Sequence, residues 1–251
     1  MPRNTALPQR LSGIAFSGSL TMTIETLTTA DGGTMRAYRA TPTHEARAAI
    51  VVIQEIFGVN AGIRSKCDAL AQAGYLAIAP DLFWRLEPGI ELDPDVPAEM
   101  NRALEWMGKF DQDQGIRDIE ATIRHARDAV SGGKVGVVGY CLGGRLAYMT
   151  AARTDVDAAV GYYAVGVDRL LGEKHAIAKP LMLHIAGDDG FVDKDSQAAM
   201  HAGLDDHPKV TLHDYPGEDH GFATQFGARR SDAAANLADE RTAAFFREHL
   251  A

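Results

Sequence analysis

Residues 134–144 read KVGVVGYCLGG, and how they are parsed decides the fold. KVGVVG (134–139) is an apolar run of strand type, and LGGRLAYMTAAR (142–153) has a helical pattern, with no linker between the two. The join, Gly139-Tyr140-Cys141-Leu142-Gly143, has the form G-x-S-x-G with Cys in place of Ser. A strand that turns at once into a helix crowds its own backbone. Residues without a Cβ are therefore needed two positions either side of the apex. The apex side chain stands above the helix N-terminus, where free N–H groups and the positive dipole end stabilise a thiolate or an oxyanion. Cys141 is thus a candidate nucleophile at the carboxyl end of a strand, where open parallel sheets bind ligands. The competing reading is a small core thiol. Cys67, inside a helical pattern without such flanks, is read that way.

Working outward, TIETLT (23–28) and TMRAYRA (34–40) flank an Asp-Gly-Gly turn and read as a hairpin. AAIVVIQ (48–54), YLAIAP (75–80), DAAVGYYA (157–164), PLMLHIAG (180–187) and KVTLHDY (209–215) are further strands. Several are almost continuously apolar, which fits strands covered on both faces. Helical patterns lie between them. Ile116, Ile119, Ile123, Ala126 and Val130 share one face of residues 115–130, and residues 232–251 form a closing helix anchored by Leu237, Phe245 and Leu250. The sum is an α/β fold with a mostly parallel eight-stranded sheet and helices on both faces. The stretch 84–97, rich in Pro and acids, reads as a long functional loop or lid.

A chain of 251 residues with 46% hydrophobic content supports one sizeable core, so residues 22–251 are expected to form a single domain. Residues 1–21 read as a disordered extension. Arg3 and Arg10 precede a weakly apolar segment, but Ser and Gly break it, which argues against a secretion signal. The net charge of −9 and the lack of a basic run disfavour nucleic acid and anionic membranes. No apolar run approaches the roughly 20 residues of a membrane span. The two cysteines make neither a disulfide framework nor a metal pair, and a reducing cytoplasm is expected.

A nucleophile needs a base, and the base an orienting acid. In this arrangement the chain order is nucleophile, acid, base. GDDGFVD (187–193) offers Asp188 or Asp189 just beyond a strand, with Asp193 further off; strand logic does not separate the first two. His220 lies in a glycine-flanked loop beyond the last strand. His184 and His213 fall inside strands and read as core or edge histidines, and the other six read as surface residues. No pair has metal-ligand spacing. No metal or other cofactor is implied.

These residues carry a family resemblance. QEIFGVN (54–60), APDLFWR (79–85), GKVGVVGYCLGG (133–144), AVGYYAVG (159–166), GDDGFV (187–192) and DHGFA (219–223) together resemble the dienelactone hydrolase (carboxymethylenebutenolidase) family. This is a cysteine-using branch of the α/β-hydrolase fold, and the resemblance runs over residues 22–250. It implies Cys141 as nucleophile, Asp189 as acid and His220 as base. It further implies Glu55 as a carboxylate close to the thiol that takes part in its activation, and the Ile56 and Leu142 N–H groups as the oxyanion hole. Arg85 would contact a substrate carboxylate, and Tyr140 and Thr224 would also face the substrate. Where the family's best-known members place a second arginine, this chain has Thr224, which bears on the substrate more than on the reaction.

The implied reaction is cleavage of a lactone or activated ester through a thioester on Cys141, with dienelactone to maleylacetate as the leading case. A broad carboxylesterase or thioesterase of the same fold is the second reading. A redox-sensing or binding protein that uses a reversibly oxidised Cys141 is the third. The expected partner is a small carboxylate-bearing lactone or ester, on a monomer or small homo-oligomer.

Overall fold

The computed structural model describes residues 20–251; the expectation for residues 1–19 lies outside them. Strands β1 (Thr21–Thr28) and β2 (Thr34–Thr41) form the expected hairpin, turning at Gly32 with φ 82°. After them come β3 (Ala49–Ile53), α1 (Ala61–Gln72), β4 (Leu76–Pro80), α2 (Pro97–Lys109) and α3 (Gln112–Ala129). The second half holds β5 (Val135–Tyr140), α4 (Leu142–Arg153), β6 (Ala158–Tyr162), β7 (Leu181–Ala186), α5 (Lys194–Leu204), β8 (Val210–Tyr215) and α6 (Asp232–His249). A 3-10 segment, Val167–Ala176, follows β6.

The eight strands make one sheet in the order β1-β2-β4-β3-β5-β6-β7-β8. β2 pairs antiparallel with β1 and β4, and every pairing from β4 to β8 is parallel. Every residue of β3, β4, β5, β6 and β7 is buried, which is why these strands are apolar on both faces. One face packs the α3 isoleucines, Leu146 of α4, and Met200 and Leu204 of α5. The other packs Ile63 and Cys67 of α1 with Phe245 and Phe246 of α6. Cys67 is a fully buried thiol, as its flanks suggested.

Two expectations change, and one helix is new. Leu237 is 43% exposed, while Phe245 and Leu250 are buried as expected and Ala235, Ala238, Thr242 and Phe246 complete the inward face of α6. Asp193 caps α5, its carboxylate accepting from Ser196 N at 2.8 Å, which commits it to a helix end. The acidic stretch 84–97 is a loop, as expected, and it leads into α2, a helix not foreseen, which starts on Pro97 and fully buries only Ala103.

Candidate active site

The turn from β5 into α4 has no room for side chains at its glycines. A Cβ on Gly139 would lie 1.9 Å from Gly143 O, and one on Gly143 would lie 2.4 Å from Ile53 O. Cys141 takes φ 57° and ψ −114°, a sparsely populated positive-φ conformation that costs a non-glycine residue about 1–3 kcal/mol. Its N–H donates to Tyr162 O at 3.1 Å, tying the strained apex to β6. A strained, over-determined apex of this kind is typical of a functional position.

The loops after β7 and β8 meet beside it. His220 Nδ1 contacts Asp189 Oδ2 at 2.9 Å and Oδ1 at 3.1 Å, with both side chains buried. Phe191 N donates to Asp189 Oδ1 at 2.8 Å, fixing the carboxylate. Asp188, by contrast, is exposed and pairs with Lys194 at 3.0 Å. Asp219 joins the two loops, accepting from Gly190 N at 2.9 Å and His220 N at 2.6 Å. These two backbone donors hold its carboxyl below the usual range. Burial works against a charged His220 ring, yet the Cys141 sulfur, and then Asp189, push its pKa up to about 10.

Cys141 and His220 line a cavity of about 120 Å³ together with Glu55, Ile56 and Leu142. Among the described residues, neither Ile56 N–H nor Leu142 N–H donates to a backbone acceptor, so both are free to meet an oxyanion. Glu55 is buried. The Tyr163 hydroxyl donates to its Oε1 at 3.4 Å. Burial pushes its carboxyl pKa up, opposed first by the charge on His220 and then by Tyr163.

The expected substrate residues do not gather there. Tyr140 and Thr224 line a separate cavity of about 450 Å³, which shares the Glu55 wall. Arg85 lines neither. It stacks on Trp84 with 4.1 Å to the ring centroid and is held by Asp118 at 2.9 Å and Asp31 at 2.9 Å. Asp118 is a buried carboxylate that requires a counter-charge, and nothing local in the sequence announces that demand. Sequence reasoning missed Arg145 and Gln112, which line the cavity of Cys141, and Tyr163, which reaches Glu55; Arg229, a candidate to stand in for the arginine absent at Thr224, lines that cavity too. The spacing from 141 to 145, one helical turn on the same face, was a usable signal for Arg145. The strand histidine His184 is buried, bonded to Tyr215 at 2.8 Å and Thr242 at 2.9 Å, and burial holds its pKa well below the ordinary value. Among the described residues no His, Cys, Asp or Glu group is arranged to hold a metal, and no helix is long and apolar enough to cross a membrane.

Residues 35–250 match the model of the Dienelactone hydrolase family. A carboxymethylenebutenolidase of Pseudomonas putida is 41% identical over 212 residues, covering 84% of this chain and 90% of its own. A protein of Azospirillum brasilense, provisionally named carboxymethylenebutenolidase, is 46% identical over 232 residues, covering 91% of this chain and all of its own. A solved structure from Klebsiella pneumoniae, provisionally identified as a dienelactone hydrolase, superposes with a TM-score of 0.81 at 27% identity, covering 92% of this chain and 99% of its own.

Proposed function

This chain belongs to the dienelactone hydrolase family and is a hydrolase, and from that premise we propose that it cleaves an enol lactone or activated ester with Cys141, His220 and Asp189 as its triad. The observation that carries the reading is the buried Asp189–His220 pair at 2.9 Å, opening with Cys141 on one small cavity.

In this reading His220, held by Asp189, takes the Cys141 proton to generate the attacking thiolate and becomes the imidazolium. The Cys141 sulfur attacks the carbonyl carbon. The new oxyanion takes hydrogen bonds from the Ile56 and Leu142 N–H groups. Collapse breaks the ring C–O bond, leaves a thioester on Cys141 and frees an enolate, which is protonated by way of His220. In a lactone the leaving group stays tethered to the acyl group. Water then attacks the thioester, giving its proton to the now neutral His220, and the thiolate departs. Asp189 orients the ring throughout.

The choice of Cys restricts the substrates. A thiolate is more readily expelled from a tetrahedral intermediate than an ordinary alkoxide, so only esters with good leaving groups go forward. Enol lactones qualify, because the leaving enolate is delocalised. Burial raises the pKa of Glu55, which weakens the tendency of a second negative charge to oppose the thiolate.

The test is steady-state hydrolysis of cis- and trans-dienelactone beside p-nitrophenyl acetate, with Cys141→Ala as control. The expected result is dienelactone turnover that falls by about 10⁴-fold or more in the variant. Ester turnover without dienelactone turnover would move the protein to the broader carboxylesterase reading, and full activity in Cys141→Ala would overturn the nucleophile.

A further inference from the structure

We propose that Arg145, and not Arg85, anchors the anionic group of the substrate, with the substrate's apolar body beside it under α2. The inference rests on the reading of the Cys141 cavity as the site of ester cleavage and names the residue that holds the substrate's charge.

Arg145 lies one helical turn beyond the nucleophile, with its N–H donating to Cys141 O at 3.2 Å. Its side chain lines the same cavity as Cys141 and His220. Among the described residues, most other partly buried arginines are neutralised, Arg39 by Glu25, Arg64 by Glu91, Arg127 by Asp157 and Arg230 by Asp232, while Arg241 rests on the Tyr215 ring and hydroxyl. Arg145 has no carboxylate within 4.0 Å among the described residues, and its Nε is buried without a hydrogen-bond partner. A half-buried guanidinium whose Nε is shut off from solvent without a protein partner is costly, and a bound anion would supply the missing partner. Burial and then Arg169 pull its pKa below the usual value, against the charges of Asp168 and Glu173, neither of which pairs with it.

The surroundings make room for it. Gly166, at φ 77°, faces the guanidinium so closely that a Cβ there would lie 2.4 Å from Arg145 Nη1. Gln112 Oε1, on the same cavity wall, is also buried without a partner. Arg229 adds a second cation to the wall of a chain whose net charge is −9. The rest of the wall includes Met100, Leu104 and Met107 of α2. Leu104 and Met107 remain 43% and 41% exposed, an apolar surface that an organic substrate would cover. A carboxylate on Arg145 with a hydrocarbon or aromatic body under α2 satisfies both halves of this wall. Arg85, occupied by two carboxylates, is not available for the same task.

The experiment compares kcat/KM for mono-p-nitrophenyl glutarate, which carries a carboxylate, with that for the neutral p-nitrophenyl pentanoate of similar length. Arg145→Ala is expected to lower the charged-to-neutral ratio by about 10- to 100-fold. Arg145→Lys is expected to give an intermediate ratio, and Arg85→Ala to move it by less than about 3-fold. An unmoved ratio in Arg145→Ala, or an equal fall in Arg85→Ala, would overturn the proposal. A second readout needs no turnover: the rate of Cys141 alkylation by iodoacetate relative to iodoacetamide. The anionic reagent is expected to be favoured in the native protein, and the preference to collapse in Arg145→Ala. If neither ester is cleaved but the preference depends on Arg145, the hydrolase reading falls and the anion site stands. If esters are cleaved and neither ratio depends on Arg145, the anchor falls alone. A Cys141 that resists both reagents also overturns it, since the cavity would then admit no small anion.

Discussion

Arg85 donates to Asp118 Oδ1 at 2.9 Å, and Asp118 is almost wholly buried on α3. The pair binds the loop after β4 to the helix that covers the sheet. Arg85 is thereby a structural cation, and Arg85→Ala is expected to cost about 1–3 kcal/mol of stability by leaving Asp118 undercompensated. Urea unfolding at pH 7 measures it. A normal midpoint with a raised KM would return Arg85 to the substrate.

The Asp189–His220 contact makes a kinetic prediction. Asp189→Asn is expected to lower kcat by about 10⁴-fold through the wrong ring tautomer. The pH profile should move as well. The His220 proton is held up to about pH 10, chiefly by the Cys141 sulfur and then by Asp189, against burial. Below that pH the imidazolium is present to protonate the leaving group; above it the donor is gone. Removing the carboxylate charge lowers the His220 pKa, so the alkaline limb of kcat/KM should shift to lower pH. An unshifted limb would mean that Asp189 does not act through His220.

Glu55 provides a stability test. Burial raises its pKa in the folded chain, so its folded form favours the protonated acid. That contribution is fully present below the ordinary value of 4.5 and is lost as pH rises through the folded value. Glu55→Gln removes the loss. It is expected to raise the melting temperature at pH 7 by about 2–4 °C, the equivalent of about 1 kcal/mol, with the gain shrinking toward pH 4. Thermal scans across that range decide it, and a destabilised variant at pH 7 would show that the carboxylate is better accommodated than its burial implies.

Two glycines should respond in opposite directions. Gly143→Ala drives a methyl to 2.4 Å from Ile53 O and is expected to cost about 2–4 kcal/mol. Gly108→Ala, inside α2 with nothing within 4 Å, is expected to gain about 0.5–1 kcal/mol. Paired urea titrations test both.

The eight strands were legible because the inner ones are buried on both faces and so read as unbroken apolar runs. The elbow was legible because its glycines answer a purely local demand. Asp188 and Asp189 differ only in which one turns inward, a tertiary fact that the strand pattern does not contain. Arg85 and Asp118 are far apart in the chain, and only folding makes them partners. The helix α2 was hard to read because two of its apolar residues, Leu104 and Met107, face outward over the cavity. The phase of α6 was misjudged at Leu237 because alanines make up much of its buried face.

The placement of β8 at the edge of the sheet has a consequence for inactivation. β8 pairs only with β7 and is the least buried of the parallel strands, yet the loop that follows it delivers His220. Sheet edges open at lower free energy than centres. In rising denaturant the catalytic base should therefore part from Cys141 before the core melts. Activity would be lost at a urea concentration where the tyrosine and tryptophan signals of the interior still look native, and would return on dilution faster than any unfolded chain could refold.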